Sequence, residues 1–233
     1  AAAEPHVQDL CLFLQKMGVR ITGIGTHTLE IEGAEVLHGT THRIIPDQIE
    51  AGTFAALAAA TRGKIIITNI VPEHLELILL KLQGMGVHYE VKGTSLFIKS
   101  SKTLSAFRLQ VMPYPGFPSD LQAPFGVLAT QCRGTSLIQD PLYEGRMGYI
   151  AELIKMGANA IVADPHRVVI TGATPLYGQE IKSLDLRAGA TMIIAGLVAQ
   201  GETIIHDAEV IDRGYERIEE KLRALGADIK RVE

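Results

Sequence analysis

The sequence predicts an α/β fold of three similar units about a pseudo-threefold axis, with one apolar helix of each unit buried at the centre. Two observations predict it. An aspartate followed by an apolar run that ends at a glycine occurs three times. Asp47, Asp120 and Asp185 open these runs, and Gly63, Gly134 and Gly201 close them at spacings of 71 and 67 residues. A second mark occurs four times, as Leu14-Gln15-Lys16-Met17-Gly18, Leu82-Gln83-Gly84-Met85-Gly86, Leu153-Ile154-Lys155-Met156-Gly157 and Leu222-Arg223-Ala224-Leu225-Gly226. Its glycines stand 68, 71 and 69 residues apart. A constant spacing of about 70 residues is an internal repeat longer than the common solenoid units.

The elements follow in order. Val7, Leu10, Cys11, Leu14 and Met17 fall at helical spacing after Pro5, and Gly18 ends that helix. Val19–Ile21 and Leu29–Ile31 read as strands joined through Gly23-Ile24-Gly25-Thr26. That Gly-x-Gly lacks the third glycine and the following helix of a dinucleotide loop, so a hairpin turn is the better reading.

The first unit has a helix from Asp47 to Thr61 and a strand at Lys64–Asn69. A second helix from Pro72 places Leu75, Ile78, Leu79 and Leu82 on one side, and strands Val87–Val91 and Ser95–Ile98 follow. Phe107–Val111 leads as a strand into the second unit. That unit has a helix from Asp120, strand Ser136–Gln139, a helix from Arg146 to Met156, and strands Ala160–Ala163 and Val168–Ile170. The third has the Asp185 helix, strand Thr203–His206, a helix from Asp212 to Leu225, and strand Asp228–Val232. The helices opened by the three aspartates are apolar all round, which predicts burial on every side. The longest such run is too short to span a bilayer.

The third unit lacks its closing strands, and the chain begins with a surplus helix and hairpin at Ala1 in place of an initiator methionine. The expectation is a fragment. Residues 1–44 are the closing segment of a mostly absent N-terminal domain plus a crossover at Gly39–Ile45, and residues 45–233 are a C-terminal domain of three units.

Composition narrows the function. A net charge of −4, with no basic cluster, gives no reason to expect nucleic acid. Two cysteines, Cys11 and Cys132, make no disulfide framework and fit a reducing cytosol. No signal peptide or transmembrane segment is present in the sequence. Eight histidines form no metal-ligand spacing, so neither a metal nor a cofactor is proposed.

Three arginines stand at expected helix N-termini, Arg187 after Asp185, Arg213 after Asp212, and Arg146 after Gly145. The dipole disfavours a cation there by roughly 0.3–1 kcal/mol. Either each pairs with a nearby carboxylate, or together they hold an anion such as phosphate or carboxylate. Asp47, Asp120 and Asp185 suit helix caps. Asp120 is the best exception, because three prolines in Pro113–Ser119 stiffen the loop that presents it. A pre-positioned carboxylate suits a general base for a hydroxyl.

The stretches Pro46–Phe54, Pro72–Glu76, Pro113–Asp120, Asp185–Ala190 and Ile211–Glu216 closely resemble the bacterial UDP-N-acetylglucosamine 1-carboxyvinyltransferases of the enolpyruvyl transferase family. They look unlike the sister branch, 5-enolpyruvylshikimate-3-phosphate synthase. The resemblance implies an inside-out α/β barrel, of which this chain is the C-terminal half. It implies transfer of enolpyruvyl from phosphoenolpyruvate to the 3-hydroxyl of UDP-N-acetylglucosamine, the committed step of peptidoglycan synthesis in the bacterial cytoplasm. Carried over by residue, it makes Asp120 the base and Arg213 its catalytic companion. Glu4, Asp47, Arg146, Asp185 and Arg187 become substrate-binding residues.

The departures from the pattern are specific. The family's cysteine-bearing loop and N-terminal lysine–asparagine pair have no counterpart in this sequence. Gln48 stands where arginine is usual, and Tyr143-Glu144-Gly145-Arg146-Met147 replaces a Phe-Glu-Asn-Arg-Phe pattern. The chain alone is therefore expected to be inactive, needing the missing N-terminal domain. The rival reading is a diverged, non-catalytic anion- or nucleotide-sugar-binding or scaffold module of the same fold.

Overall fold

Four glycines in left-handed backbone set the rhythm of the computed structural model, which describes residues 3–232. They are Gly18, Gly86, Gly157 and Gly226, with φ of 107°, 90°, 99° and 96°. Each follows a helix: α1 Pro5–Lys16, α3 Glu76–Gly84, α5 Tyr149–Lys155 and α7 Ile218–Ala224. The residue after each glycine donates its N–H five residues back, Val19 to Leu14, Val87 to Leu82, Ala158 to Leu153 and Ala227 to Leu222, all at 2.9–3.1 Å. This is the Schellman closure, which satisfies carbonyls the helix end leaves free. The repeated sequence mark is thus a repeated helix stop, and the leucine that opens each copy supplies the accepting carbonyl.

Three further helices, α2 Gln48–Ala60, α4 Gln122–Thr130 and α6 Leu186–Val198, carry the apolar runs. Each touches the other two; every residue of α4 is buried, and most of those in α2 and α6 are. Glycines in these helices let flanking elements come close. A Cβ on Gly52 would lie 2.4 Å from a Leu121 methyl, and one on Gly126 would lie 2.4 Å from the Tyr149 hydroxyl. None of the described helices is long and apolar enough to cross a membrane.

Short strands surround these helices. The first hairpin pairs β1 Arg20–Thr22 with β2 Glu30–Glu32. A three-stranded antiparallel sheet runs β3 Ile65–Thr68, β5 Ser95–Lys99, β4 His88–Lys92. A four-stranded sheet runs β6 Arg108–Gln110, β7 Gly134–Gln139, β9 Arg167–Gly172, β8 Asn159–Asp164, with β6 parallel to β7. Strand β10 Glu180–Lys182 lies parallel to β11 Ile204–His206. With helices at the core and sheets outside, the chain has the inside-out α/β arrangement. The segment Gly39–Ile45 has no regular structure and is pinned to α1 by His42 Nε2 on Asp9 Oδ1 at 2.9 Å, both nearly buried.

Several expectations fail locally. Strand β10 was not expected, because Glu-Ile-Lys is too short to show alternation. Asp228–Val232 is not a strand: Ile229 O accepts from Arg223 Nε, and Arg231 turns to Asp212, so side chains take the place of a ladder. The helix expected from Asp212 is broken. Ala208–Arg213 is a 3-10 stretch, Arg217 sits in left-handed backbone (φ 46°), and α7 starts only at Ile218. The helix expected from Arg146 starts at Tyr149, after a turn through Gly145 at φ 76°.

Candidate functional site

The loop Pro113–Ser119 is folded on itself before it reaches Asp120. Met112 N donates to Phe117 O at 3.1 Å and Gly116 N to Pro113 O at 2.7 Å. Phe117 is fully buried, edge-on to Phe125 of α4 with centroids 4.8 Å apart. Glu4, just ahead of α1, accepts from Tyr114 N at 3.0 Å and holds the loop's other shoulder.

Asp120 does not cap its helix, contrary to the expectation from its place in the repeat. The cap position ahead of the 3-10 turn Ser119–Leu121 belongs to Pro118, which has no side-chain acceptor. The Asp120 carboxylate is left for cations. Its Oδ1 meets Arg146 Nη1 at 2.9 Å and also pairs with Arg187 Nε, all three side chains being about one-quarter to one-third exposed. Tyr143 lies under the Arg146 guanidinium, with Cζ 4.0 Å from the ring centroid, a cation–π contact.

Asp47 and Asp185 do cap. Asp47 Oδ1 accepts from Ile49 N (2.7 Å) and Glu50 N (3.3 Å), and Asp185 Oδ1 accepts from Arg187 N (2.7 Å) and Ala188 N (2.9 Å). Of the three arginines, only Arg187 lies in the first turn of a helix. Arg146 lies in the turn before α5, and Arg213 ends the 3-10 stretch. Arg213 is exposed and makes no ion pair among the described residues. It still borders the start of α6, because a Cβ on the adjacent Gly214 would lie 2.8 Å from Leu186. Asp212, expected to cap, instead binds Arg231 at 2.6 and 2.8 Å, which holds its carboxyl below the usual range.

Tyr215 ties the stretch ahead of α7 to α2. Its hydroxyl is 2.8 Å from Thr53 Oγ1 in a buried contact. Desolvation pushes the phenol up to about 12. The Thr53 bond opposes this, and the charges of Asp47, Asp120 and Glu50 add to it.

The structure therefore brings Asp120, Arg146 and Arg187 together, sets Arg213 beside the α6 terminus, and leaves Asp47 and Asp185 on backbone amides. Glu4 lies on the far side of the proline loop, in a cavity of about 460 Å³ shared with Gln48, His74, Tyr114 and Pro118. There, Gln48 Oε1 and His74 Nδ1 are buried without a hydrogen-bond partner.

Sequence reasoning missed Asp140 and the role of Ser119. Asp140 is fully buried after β7. Its Oδ2 takes the Ser119 hydroxyl, and Ser119 Oγ in turn accepts from Arg146 Nη1 at 2.7 Å. An acid between a strand and Pro141 carries no sequence signal of this. A partly buried carboxylate held by two guanidiniums places a proton acceptor beside anion-binding groups.

Comparison with known proteins gives the family and the fold. Residues 1–222 match the family described as EPSP synthase (3-phosphoshikimate 1-carboxyvinyltransferase). Among the curated relatives, one from Koribacter versatilis named UDP-N-acetylglucosamine 1-carboxyvinyltransferase is 49% identical over 231 residues, covering 99% of this chain and 53% of the relative. One of the same name from Streptococcus pneumoniae serotype 2 is 46% identical over 233 residues, covering 100% and 55%. The chain thus spans about half the length of the curated relatives it matches. Among solved structures, the enolpyruvyl transferase NikO from Streptomyces tendae superposes with a TM-score of 0.87 at 28% identity, over 97% of this chain and 54% of that one. An EPSP synthase from Acinetobacter baumannii superposes at 0.70 and 21% identity, over 91% and 53%, which is a likeness of fold.

Proposed function

The chain belongs to the EPSP synthase (3-phosphoshikimate 1-carboxyvinyltransferase) family, and on that premise we propose that it supplies the hydroxyl-activating side of a transferase moving enolpyruvyl from phosphoenolpyruvate to UDP-N-acetylglucosamine. The observation that supports this most is the Asp120 carboxylate between Arg146 and Arg187, at the end where the core helices begin. The name these relatives carry supports the acceptor.

In this reading the sugar 3-hydroxyl gives its proton to Asp120 as its oxygen bonds to C2 of phosphoenolpyruvate, and C3 takes a proton from an acid. Loss of a proton from C3 and of phosphate from C2 then gives the enol ether. Arg187 and Arg213 hold the phosphoenolpyruvate anion, and Arg146 faces the sugar nucleotide. An anion arriving at Arg187 competes with Asp120 for it and so frees a carboxylate lone pair for the hydroxyl. Neither cysteine delivers the proton. Both are buried, and desolvation pushes the Cys132 thiol up to about 12 against the opposing charge of Arg62.

We read residues 45–233 as one domain of three repeats about a pseudo-threefold axis, and 1–44 as a closing segment of a neighbouring domain. Turnover by these 233 residues alone is not expected, because the family's cysteine-bearing loop has no counterpart in this sequence. The test is phosphate release from phosphoenolpyruvate by the complete natural gene product that contains this chain. Release that requires UDP-N-acetylglucosamine supports the reading, and its absence at any sugar-nucleotide concentration overturns it.

A further inference from the structure

We propose that Asp140 is a positioning residue that orients Arg146, and through it Asp120, by way of the Ser119 hydroxyl. The kinetic half of its test rests on the enolpyruvyl-transfer reading, and the spectroscopic half does not.

Asp140 is a wholly buried carboxylate that takes part in no ion pair among the described residues. Such a group is costly to keep unless its oxygens are satisfied. Two contacts satisfy them: Leu142 N donates to Oδ1 at 3.0 Å, and Ser119 Oγ donates to Oδ2. The backbone is fixed as well. Asp140 N donates to His166 O at 2.8 Å, and His166 Nδ1 lies 2.8 Å from Asp140 O.

The direction of the relay follows from the donor inventory. A guanidinium has no acceptor, so Arg146 Nη1 donates to Ser119 Oγ at 2.7 Å. Ser119 has a single hydroxyl proton, and it goes to Asp140. The second hydrogen of the same Nη1 goes to Asp120 Oδ1 at 2.9 Å. Both hydrogens of that nitrogen are therefore assigned, one to the relay and one to the carboxylate. Nη2 and Nε make no hydrogen bond among the described residues, and the guanidinium plane is seated on the Tyr143 ring. The Ser119 hydroxyl thus joins the buried Asp140 carboxyl to the Arg146 guanidinium at one remove.

If Asp140 merely braces the turn at Leu142, its loss and that of the Ser119 hydroxyl act independently. If it works through Ser119, they do not. The experiment compares Ser119→Ala, Asp140→Asn and the double variant in the complete natural gene product. Activity is read as kcat/KM for enolpyruvyl transfer and folding as Tm. Each single variant is expected to lose roughly tenfold, and the double about the same tenfold rather than a hundredfold. Ser119→Thr, which keeps a hydroxyl, is expected to restore the activity that Ser119→Ala loses, and it serves if Asp140→Asn does not fold.

Guanidinium NMR of Arg146, assigned with Arg146→Lys, gives the second readout. Rotation about its C–N bonds is expected to be slow in the wild type and faster in both single variants. A hundredfold double loss, an inactive Ser119→Thr, or unchanged Arg146 rotation in Ser119→Ala each overturns the proposal. A wild type that makes no enolpyruvyl product overturns the functional reading instead, and the NMR result then decides the role of Asp140 alone.

Discussion

Asp47, Asp120 and Asp185 occupy matching places in three similar stretches of sequence, but Asp120 is used differently from the other two. Asp47 and Asp185 have extended backbone, and their helices start with the next residue, so each carboxylate folds over two amides of its own first turn. At Asp120 the chain enters through a 3-10 turn headed by Pro118, which moves the start of the element two residues upstream. Asp120 becomes an interior residue of that turn, and its side chain reaches Arg146 and Arg187. The difference teaches that the role of a repeated residue depends on where its helix begins. A proline is enough to move that start, because it fixes φ and offers no side-chain acceptor.

The comparison breaks or stands first on activity. Asp120→Asn keeps the shape and removes the base, so transfer by the complete gene product is expected to fall by about 10²–10⁴-fold. Its Tm should stay close to that of the wild type, since an ion pair open to solvent on one side contributes little to stability. A variant that keeps full activity would return Asp120 to the status of its two counterparts.

Asp47→Ala and Asp185→Ala test the other side. Each removes a cap worth about 1 kcal/mol, which for a domain of this size lowers Tm by roughly 2–4 °C. Thermal melts of the two variants beside Asp120→Ala check this. An equal loss from Asp120→Ala would show that it too serves as a cap.

The same contrast explains what could be read from the residues. Helix stops were legible because Gly18, Gly86, Gly157 and Gly226 obey a local rule, left-handed backbone after a last turn. The buried helices were legible because alanine, leucine and isoleucine surround them on all sides. Helix starts were less so. A Ser/Asp–Arg pattern looks alike whether the aspartate caps, as Asp185 does, or pairs with a distant arginine, as Asp212 does with Arg231. The partners of Asp120 come from residues 26 and 67 positions away, and Asp140 acts through Ser119 across the β7 connection. Such contacts are set by packing, which no short stretch encodes. The resemblance to enolpyruvyl transferases picked out Asp120 and Arg187 but not Asp140.

The smallest expected effect lies at the Asp47 end, where the cavity walls offer Gln48 and His74 in place of arginines. Burial depresses the His74 pKa below its ordinary 6.5, against the opposing charges of Glu73 and Asp9. The unfolded chain therefore binds a proton at a pH where folded His74 does not. The stability this contributes is complete above the unfolded value of 6.5 and is lost as pH falls through the lower folded one. His74→Leu should flatten that part of the pH–stability curve, and an NMR titration of the His74 ring should give a midpoint below 6.5. A midpoint above it would mean that Glu73 and Asp9 outweigh burial. The Asp47 end would then be an electrostatic site like the Asp120 end, and the contrast between them would narrow to the backbone that starts each helix.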